Sequence, residues 1–137
     1  MSAVNVGSPK KYDSIFRPDL FAGHVVVVTG GGSGIGRCTA HELASLGARL
    51  ALIGRKSDKL IATAAEIASV GTEVGWWSLD IRDEAAVTAA VAEIVARFGK
   101  IDGLVNNAGG QFASDLDKIS AKGFDAVVRS NLLGGFI

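Results

Sequence analysis

The sequence has little cysteine, no excess of charge of either sign and no long apolar run. Cys38 is the only cysteine among the 137 residues, which excludes an internal disulfide framework and favours a reducing, cytoplasmic compartment. Basic and acidic residues number 14 each, and their dispersal argues against nucleic acid or an anionic membrane as the main partner. No segment approaches the roughly 18 apolar residues that span a bilayer, and Met1–Pro18 contains no signal-peptide core. We therefore expect a soluble protein.

Proline is also scarce, and its positions bear on the organisation of the chain. Pro9 and Pro18 both lie in a polar, aperiodic segment, so residues 1–19 are predicted to form an arm. Residues 20–137 have the length of one domain, and the apolar content of the chain, 48%, is enough to bury a core. Glycine is abundant instead, and its 18 residues lie partly in clusters, which indicates tight turns rather than a linker.

Short apolar segments alternate with helical patterns along residues 20–137. The first, His24–Thr29, is a continuous β-branched run that is typical of a strand buried on both faces of a parallel sheet. The predicted strands are His24–Thr29, Arg49–Ile53, Glu73–Leu79 and Gly103–Asn106, and the predicted helices are Ile35–Leu46, Ser57 to Gly71, Asp83 to Gly99 and from Ser120 onward. Strands that alternate with helices across short turns predict an α/β fold, a Rossmann-type doubly wound parallel sheet.

The helical patterns also predict which side chains cap and which pack. Ser57 is expected to cap the second helix. The third helix carries an apolar stripe that is expected to face the core, formed by Val87, Val91, Ile94, Val95 and Phe98. Cys38, on the first helix, is expected to be a small apolar packing residue. Neither His24 nor His41 has a partner at ligand spacing, so we propose no metal site.

A glycine-rich turn, Thr29–Gly36, joins the first predicted strand to the first predicted helix. Such a turn directs backbone N–H groups and the positive end of the helix dipole towards a pyrophosphate. We expect Gly30 to permit the tight turn, Gly34 to let the backbone approach a phosphate, and Gly36 to let helix and strand pack closely. The spacing Gly-x-x-x-Gly-x-Gly differs from the general dinucleotide fingerprint, and a purely structural turn is the alternative. The flanking strand and helix favour nucleotide binding.

Two cations, Arg55 and Lys56, follow the second predicted strand. In Rossmann folds an acid at this point bonds the ribose 2′-hydroxyl of NAD(H), whereas an arginine accommodates the 2′-phosphate of NADP(H). No acid stands at this turn, and a guanidinium matches a phosphate as a planar fork. NADP(H) is therefore favoured over NAD(H). The alternative is that both residues are ordinary solvated charges of a loop.

Four motifs in order resemble those of the short-chain dehydrogenase/reductase family. They are the glycine turn, Asp80–Ile81 at the close of the third strand, Asn106–Gly109 after the fourth, and Asn131 within Ser130–Gly134. The resemblance implies hydride transfer with a nicotinamide cofactor, a contact of Asp80–Ile81 with adenine, and a catalytic role for Asn131. The implied cofactor-binding residues are Gly30, Gly32, Ser33, Gly34, Ile35, Arg55, Lys56, Asp80, Ile81, Asn107, Ala108 and Gly109.

These 137 residues lack the Tyr-x-x-x-Lys motif of that family. The family's tyrosine acts as general acid and base, and its lysine lowers the tyrosine pKa. Here the single tyrosine is Tyr12, and the residue four positions on is Phe16. We interpret the sequence as the N-terminal portion of a longer enzyme, truncated after the fourth strand and part of the following helix. The alternative is a catalytically silent nucleotide-binding or redox-sensing module that covers its sheet edge by oligomerising.

Two segments bear on the substrate, and they point to different chemistry. Gly109–Phe112 resembles the enoyl-CoA reductase branch of the family, which implies an enoyl-CoA thioester. Tyr12–Gly23 is similar to citronellol/citronellal-type dehydrogenases, which implies an aliphatic or terpenoid alcohol or aldehyde. In either case we expect a small-molecule substrate and a homo-oligomer, a dimer or a tetramer.

Overall fold

The computed structural model describes residues 14–137, in which strands and helices alternate. The strands are β1 (Val25–Thr29), β2 (Arg49–Gly54), β3 (Val74–Ser78) and β4 (Gly103–Val105). They are connected by helices α1 (Gly34–Ser45), α2 (Ser57–Ser69) and α3 (Glu84–Phe98). After β4 come a 3₁₀ turn (Leu116–Lys118), α4 (Ala121–Val128), a π-helical segment (Arg129–Leu133) and α5 (Gly134–Phe136).

The sheet has the strand order β3-β2-β1-β4, and its pairings are all parallel. In the register of the sheet, Val27 of β1 lies opposite Ala51 of β2 and Leu104 of β4. This arrangement confirms the predicted α/β, Rossmann-type fold. Because β1 is followed by β2 on one side and is paired with β4 on the other, the carboxyl end of β1 is the switch point where such sheets bind ligands.

The β-branched run of β1 is buried because helices cover both faces of the sheet. On one face Val26 and Val28 pack in a cluster with residues of α1 and α2, including Ala40 and Ile67. On the other face Val25 and Val27 pack in a cluster with Ile94 and Phe98 of α3. Burying large aliphatic side chains such as these stabilises the fold by about 1.5–3 kcal/mol each. The core therefore fixes the strand ends from which the loops described below emerge.

Two packing predictions need correction: the α3 stripe is right for Ile94 and Phe98 but wrong for Val91 and Val95, and the prediction for Cys38 is wrong. The buried residues of α3 are Ala90, Ile94 and Phe98, whereas Val91 and Val95 are 41% and 42% exposed. The sheet contacts α3 along one narrow row of positions four apart, and that row includes an alanine instead of the neighbouring valines. The buried residues of α1 are Gly36, Ala40 and Ala44, so Cys38, on the opposite face, is exposed.

The predicted cap of α2 is also wrong by one position. Ser57 is the first residue of the helix, and Lys56, with extended backbone, occupies the cap position. The predicted arm, residues 1–19, falls largely outside the described residues, and its boundary with the domain stays a prediction. Within the part of the chain that the structure describes, no helix is long and apolar enough to cross a membrane.

Candidate functional site

The carboxyl ends of the parallel strands open into a cleft with a volume of about 360 Å³. It is bounded by the glycine turn after β1, the cations after β2, the loop after β3 and the segment after β4. The predicted cofactor-binding residues that line it are Gly30, Gly32, Ser33, Arg55, Lys56, Asp80, Ile81, Ala108 and Gly109. The structure therefore brings four separate motifs to one place, as expected for loops at the same edge of a parallel sheet.

The glycine turn lies tightly between β2 and the segment after β4. The N–H of Gly30 donates to the carbonyl of Ile53 at 2.7 Å, which ties the turn to the end of β2. A Cβ on Gly30 would lie 2.6 Å from Nδ2 of Asn107, and a Cβ on Gly36 would collide with the same amide and with the carbonyl of Gly30. Gly36 thus permits the packing of α1 on the turn and on Asn107, a closer approach than a side chain would allow.

Thr29 joins the glycine turn to the motif after β4. Its buried hydroxyl accepts hydrogen bonds from the N–H groups of Asn107 and Ala108 at 3.0 and 2.9 Å and donates to the carbonyl of Val105 at 3.2 Å. The amide of Asn107 donates in turn to the carbonyl of Thr29 at 2.9 Å. We name these four bonds the Thr29–Asn107 clasp. Asn107 itself does not line the cleft, and its contacts position the residues that do.

The helices that begin at the cleft differ from the others in how their N-termini are capped. Neither Ser33, before α1, nor Lys56, before α2, makes a side-chain cap hydrogen bond. In contrast, Asp83 accepts from the N–H of Ala86 before α3, and Ser120 caps α4 in the same way. The first-turn N–H groups of α1 and α2 thus have no side-chain acceptor among the described residues, which suits them to an anionic ligand.

One side of the cleft is rich in positive charge. Besides the predicted Arg55 and Lys56, it contains Lys59 and Arg82, which the sequence reasoning missed. Arg82 holds the predicted adenine-contacting carboxylate of Asp80, with its Nη2 2.6 Å from Oδ2. The side-chain hydrogen bonds from Arg82 are the main cause that lowers the pKa of Asp80 to about 2. The signal for both missed cations was their position, in the first turn of α2 and two residues after Asp80.

Asn131 lies in the π-helical segment, and its side chain is fully engaged. Its Nδ2 donates to the carbonyls of Gly110 and Val127 at 2.6 and 2.8 Å, and its Oδ1 accepts from the N–H of Gly110 at 3.3 Å. A Cβ on Gly109 would collide with that oxygen. The amide of Asn131 therefore holds the Gly109–Gly110 loop, which lines the cleft, and Asn131 does not line it itself. Local π-helical geometry is frequent at functional sites.

The remaining predicted residues lie beside the cleft. Gly34 and Ile35 open α1 but do not line the cleft, and the Ile35 side chain is 78% exposed. Their N–H groups belong to the first turn of that helix. Any cofactor contact by these two residues would therefore be made by the backbone. Within residues 14–137, no group of three histidine, cysteine, aspartate or glutamate side chains is close enough to hold a metal ion.

The sequence is similar to curated dehydrogenases and reductases. It is 42% identical to levodione reductase from Leifsonia aquatica over 120 residues, covering 85% of this chain and 45% of the relative. It is 35% identical to a probable 2,4-dienoyl-CoA reductase from Bacillus subtilis (strain 168), covering 81% and 44% of the respective chains. The chain thus spans less than half the length of these two relatives.

Solved structures share the fold. A citronellol catabolism dehydrogenase from Pseudomonas aeruginosa PAO1 superposes with a TM-score of 0.86 at 60% identity, covering 91% of this chain and 51% of that one. An NAD⁺-bound xylitol dehydrogenase superposes with a TM-score of 0.82 at 36% identity, covering 85% and 45%. A metagenomic short-chain oxidoreductase in complex with NADP gives a TM-score of 0.77 at 38% identity, covering 85% and 53%.

A family model also matches most of the chain. The family model described as short chain dehydrogenase matches residues 24–137, from the residue before β1 to the last residue of the sequence. That range includes the glycine turn and every loop that lines the cleft. The chain therefore belongs to the short-chain dehydrogenase/reductase family.

Proposed function

We propose that this protein is an NADP(H)-dependent oxidoreductase that transfers hydride to or from a small-molecule substrate. The observation that carries the proposal is the convergence of the glycine turn, Arg55–Lys56, Asp80–Ile81 and Ala108–Gly109 on one cleft. When bound, a nicotinamide dinucleotide supplies the hydride carrier for such chemistry.

The residues of the cleft fit such a cofactor. The uncapped N-terminus of α1 suits the pyrophosphate, and Arg55 and Lys56 suit a 2′-phosphate. Asp80 supplies an acceptor for the exocyclic amine of adenine. Relatives of solved structure include one bound to NAD⁺ and one in complex with NADP, so family membership leaves the choice open. The charge of the cleft is what favours NADP(H).

For the substrate, we propose a terpenoid or aliphatic alcohol or aldehyde, with an enoyl-CoA thioester as the alternative. The citronellol catabolism dehydrogenase, at 60% identity, supports the first, and the 2,4-dienoyl-CoA reductase, at 35% identity, supports the second. We further propose a homo-oligomer, a dimer or a tetramer. The single cysteine supports a cytoplasmic location as part of the proposal.

The experiment that tests this function uses the protein expressed from its complete gene. Dissociation constants for NADPH and NADH are measured by titration, and turnover is followed on a panel of citronellol, citronellal and a 2,4-dienoyl-CoA. We expect tighter binding of NADPH and turnover of one substrate class. Arg55→Asp should reduce the preference for NADPH at least tenfold, because an attraction for the 2′-phosphate becomes a repulsion.

Four outcomes would contradict the proposal. A wild-type preference for NADH, or a preference that Arg55→Asp leaves unchanged, refutes the assignment of Arg55. Binding of dinucleotide without turnover of any member of the panel supports the silent nucleotide-binding module instead of the oxidoreductase. Absence of dinucleotide binding refutes both.

A further inference from the structure

Arg82 lines the cleft and forms a forked pair with Asp80. Its Nε donates to Oδ1 at 2.9 Å, its Nη2 donates to Oδ2 at 2.6 Å, and its backbone N–H donates to Oδ1 at 3.0 Å. The side chains are 43% and 32% exposed, so a ligand in the cleft can contact the pair. A guanidinium that engages both carboxylate oxygens fixes the geometry of the pair as well as its charge.

Arg55 lines the same cleft as Asp80 and Arg82, and its charge also acts on the carboxylate of Asp80. The hydrogen bonds from Arg82 are the main cause of the low pKa of Asp80, and the charge of Arg55 shifts it in the same direction. Asp80 is therefore an ionised group within electrostatic reach of both guanidiniums. Because Arg82 takes both of its oxygens, the positive charge of Arg55 remains for another anion.

We propose that Arg82 is a specificity-determining residue, which neutralises Asp80 and so leaves Arg55 to the 2′-phosphate of NADP(H). This inference rests on the proposed function, since it requires NADP(H) in the cleft. Without Arg82, the carboxylate of Asp80 would attract Arg55 and repel a phosphate dianion. Both effects weaken NADPH more than NADH, because only NADPH carries the 2′-phosphate.

The test is a double-mutant cycle on the protein expressed from its complete gene. The quantity compared is the ratio of the NADH to the NADPH dissociation constant in wild type, Arg82→Gln, Asp80→Asn and the double variant. This ratio cancels any contact that Asp80 makes with the adenosine common to both dinucleotides. We expect Arg82→Gln to lower the ratio about tenfold and the double variant to restore it to about the value of Asp80→Asn.

Lys59 offers a matched control, because it lines the same cleft with the same charge. Among the described residues its side chain makes no hydrogen bond with Asp80, so Asp80→Asn should not correct any change that Lys59→Gln causes. Arg82→Lys provides a second variant should Arg82→Gln fail to fold. It keeps the positive charge but not the fork, and because the inference rests on neutralisation of Asp80 we expect its ratio to stay within about threefold of wild type.

The outcomes separate this inference from the proposed function. A wild-type protein that binds neither dinucleotide, or prefers NADH, refutes the proposed cofactor. A wild-type preference for NADPH that Arg82→Gln leaves unchanged refutes the inference alone. A loss of preference that Asp80→Asn does not reverse also refutes it, because Arg82 would then act directly on the phosphate and not through Asp80.

Discussion

Gly34 and Gly71 have similar backbone conformations in different surroundings. Their φ values are +54° and +89°, and a Cβ on either would contact nothing within 4 Å beyond the adjacent residues and, for Gly34, the backbone of its own helix. Gly34 opens α1 beside the cleft, whereas Gly71 follows the end of α2 and does not line the cleft. Substitutions at the two positions therefore have the same backbone strain, and only the substitution at Gly34 can also remove a phosphate contact.

Replacing either glycine by valine should destabilise the fold by a similar amount, about 1–2 kcal/mol, because both positions are left-handed. Only Gly34→Val should also weaken NADPH, by at least tenfold, since its side chain would obstruct the approach of a phosphate to the first turn of α1. Titration of NADPH into both folded variants measures the difference. Equal affinities in the two variants would remove Gly34 from the site.

The sequence predicted the main residues of the site but not the hydrogen bonds that their side chains form with other residues. The glycine turn, Arg55 and Asp80 could be predicted because each follows directly from its neighbours in the chain. The pairing of Arg82 with Asp80 depends on side-chain conformation in the loop after β3, and no spacing rule specifies it. For the same reason the sequence did not show that the amide of Asn131 holds the loop at Gly110.

At the scale of elements, α1 and α2 lack a side-chain cap. This lack costs helix stability and leaves the first-turn N–H groups available to an anion. The cap of α3 is a hydrogen bond of 3.1 Å from the N–H of Ala86 to Asp83, and Ser33 makes no such bond for α1. We expect Asp83→Ala to lower the free energy of unfolding by about 1 kcal/mol. Ser33→Ala should change it by less than about 0.5 kcal/mol.

Urea unfolding of the two variants measures these changes under identical conditions. An equal loss in both variants would show that Ser33 caps α1 in solution, and the argument that α1 keeps its N–H groups for an anion would fail. Asp83→Asn serves as the control, because asparagine also caps helices and should retain most of the stability.

Element type was predictable from the sequence, whereas helix orientation was not. The first strand followed from a β-branched run and the others from short apolar segments, and the end of α3 followed from Gly99, which has a φ of +84°. The exposed faces of Val91 and Val95 depend on how closely α3 approaches the sheet. The buried row of α3 includes Ala90, a small residue that a search for large apolar residues passes over.

At the scale of the whole molecule, stability depends on pH because the fold lowers the pKa of Glu66 and of two aspartates, Asp80 and Asp102. Hydrogen bonds from Arg82 hold the pKa of Asp80 near 2. The N–H of Val25 and then Lys100 lower the pKa of Asp102, which connects the start of β4 to the start of β1. Both groups are protonated more readily in the unfolded chain, where the pKa of aspartate is about 3.9.

Their stabilisation is present above the unfolded pKa and is lost as the pH falls through the lower folded values. We therefore expect the urea midpoint of unfolding to fall as the pH is lowered from about 5 to about 3. Asp102→Asn removes one of the two groups, so it should lower the midpoint at neutral pH and reduce this dependence. A midpoint that rises on acidification would contradict the assignment.

The Thr29–Asn107 clasp also bears on the order in which parts of the chain fold. Its two ends are 78 positions apart in the chain, and they follow β1 and β4, which pair with each other in the sheet. Contacts of such long sequence separation are slow to form, because the intervening chain loses its freedom before the bonds are made. We therefore expect the cleft to be completed late in folding. If the proposed dinucleotide binds there, it would bind only chains that have finished folding and would stabilise them against unfolding by mass action.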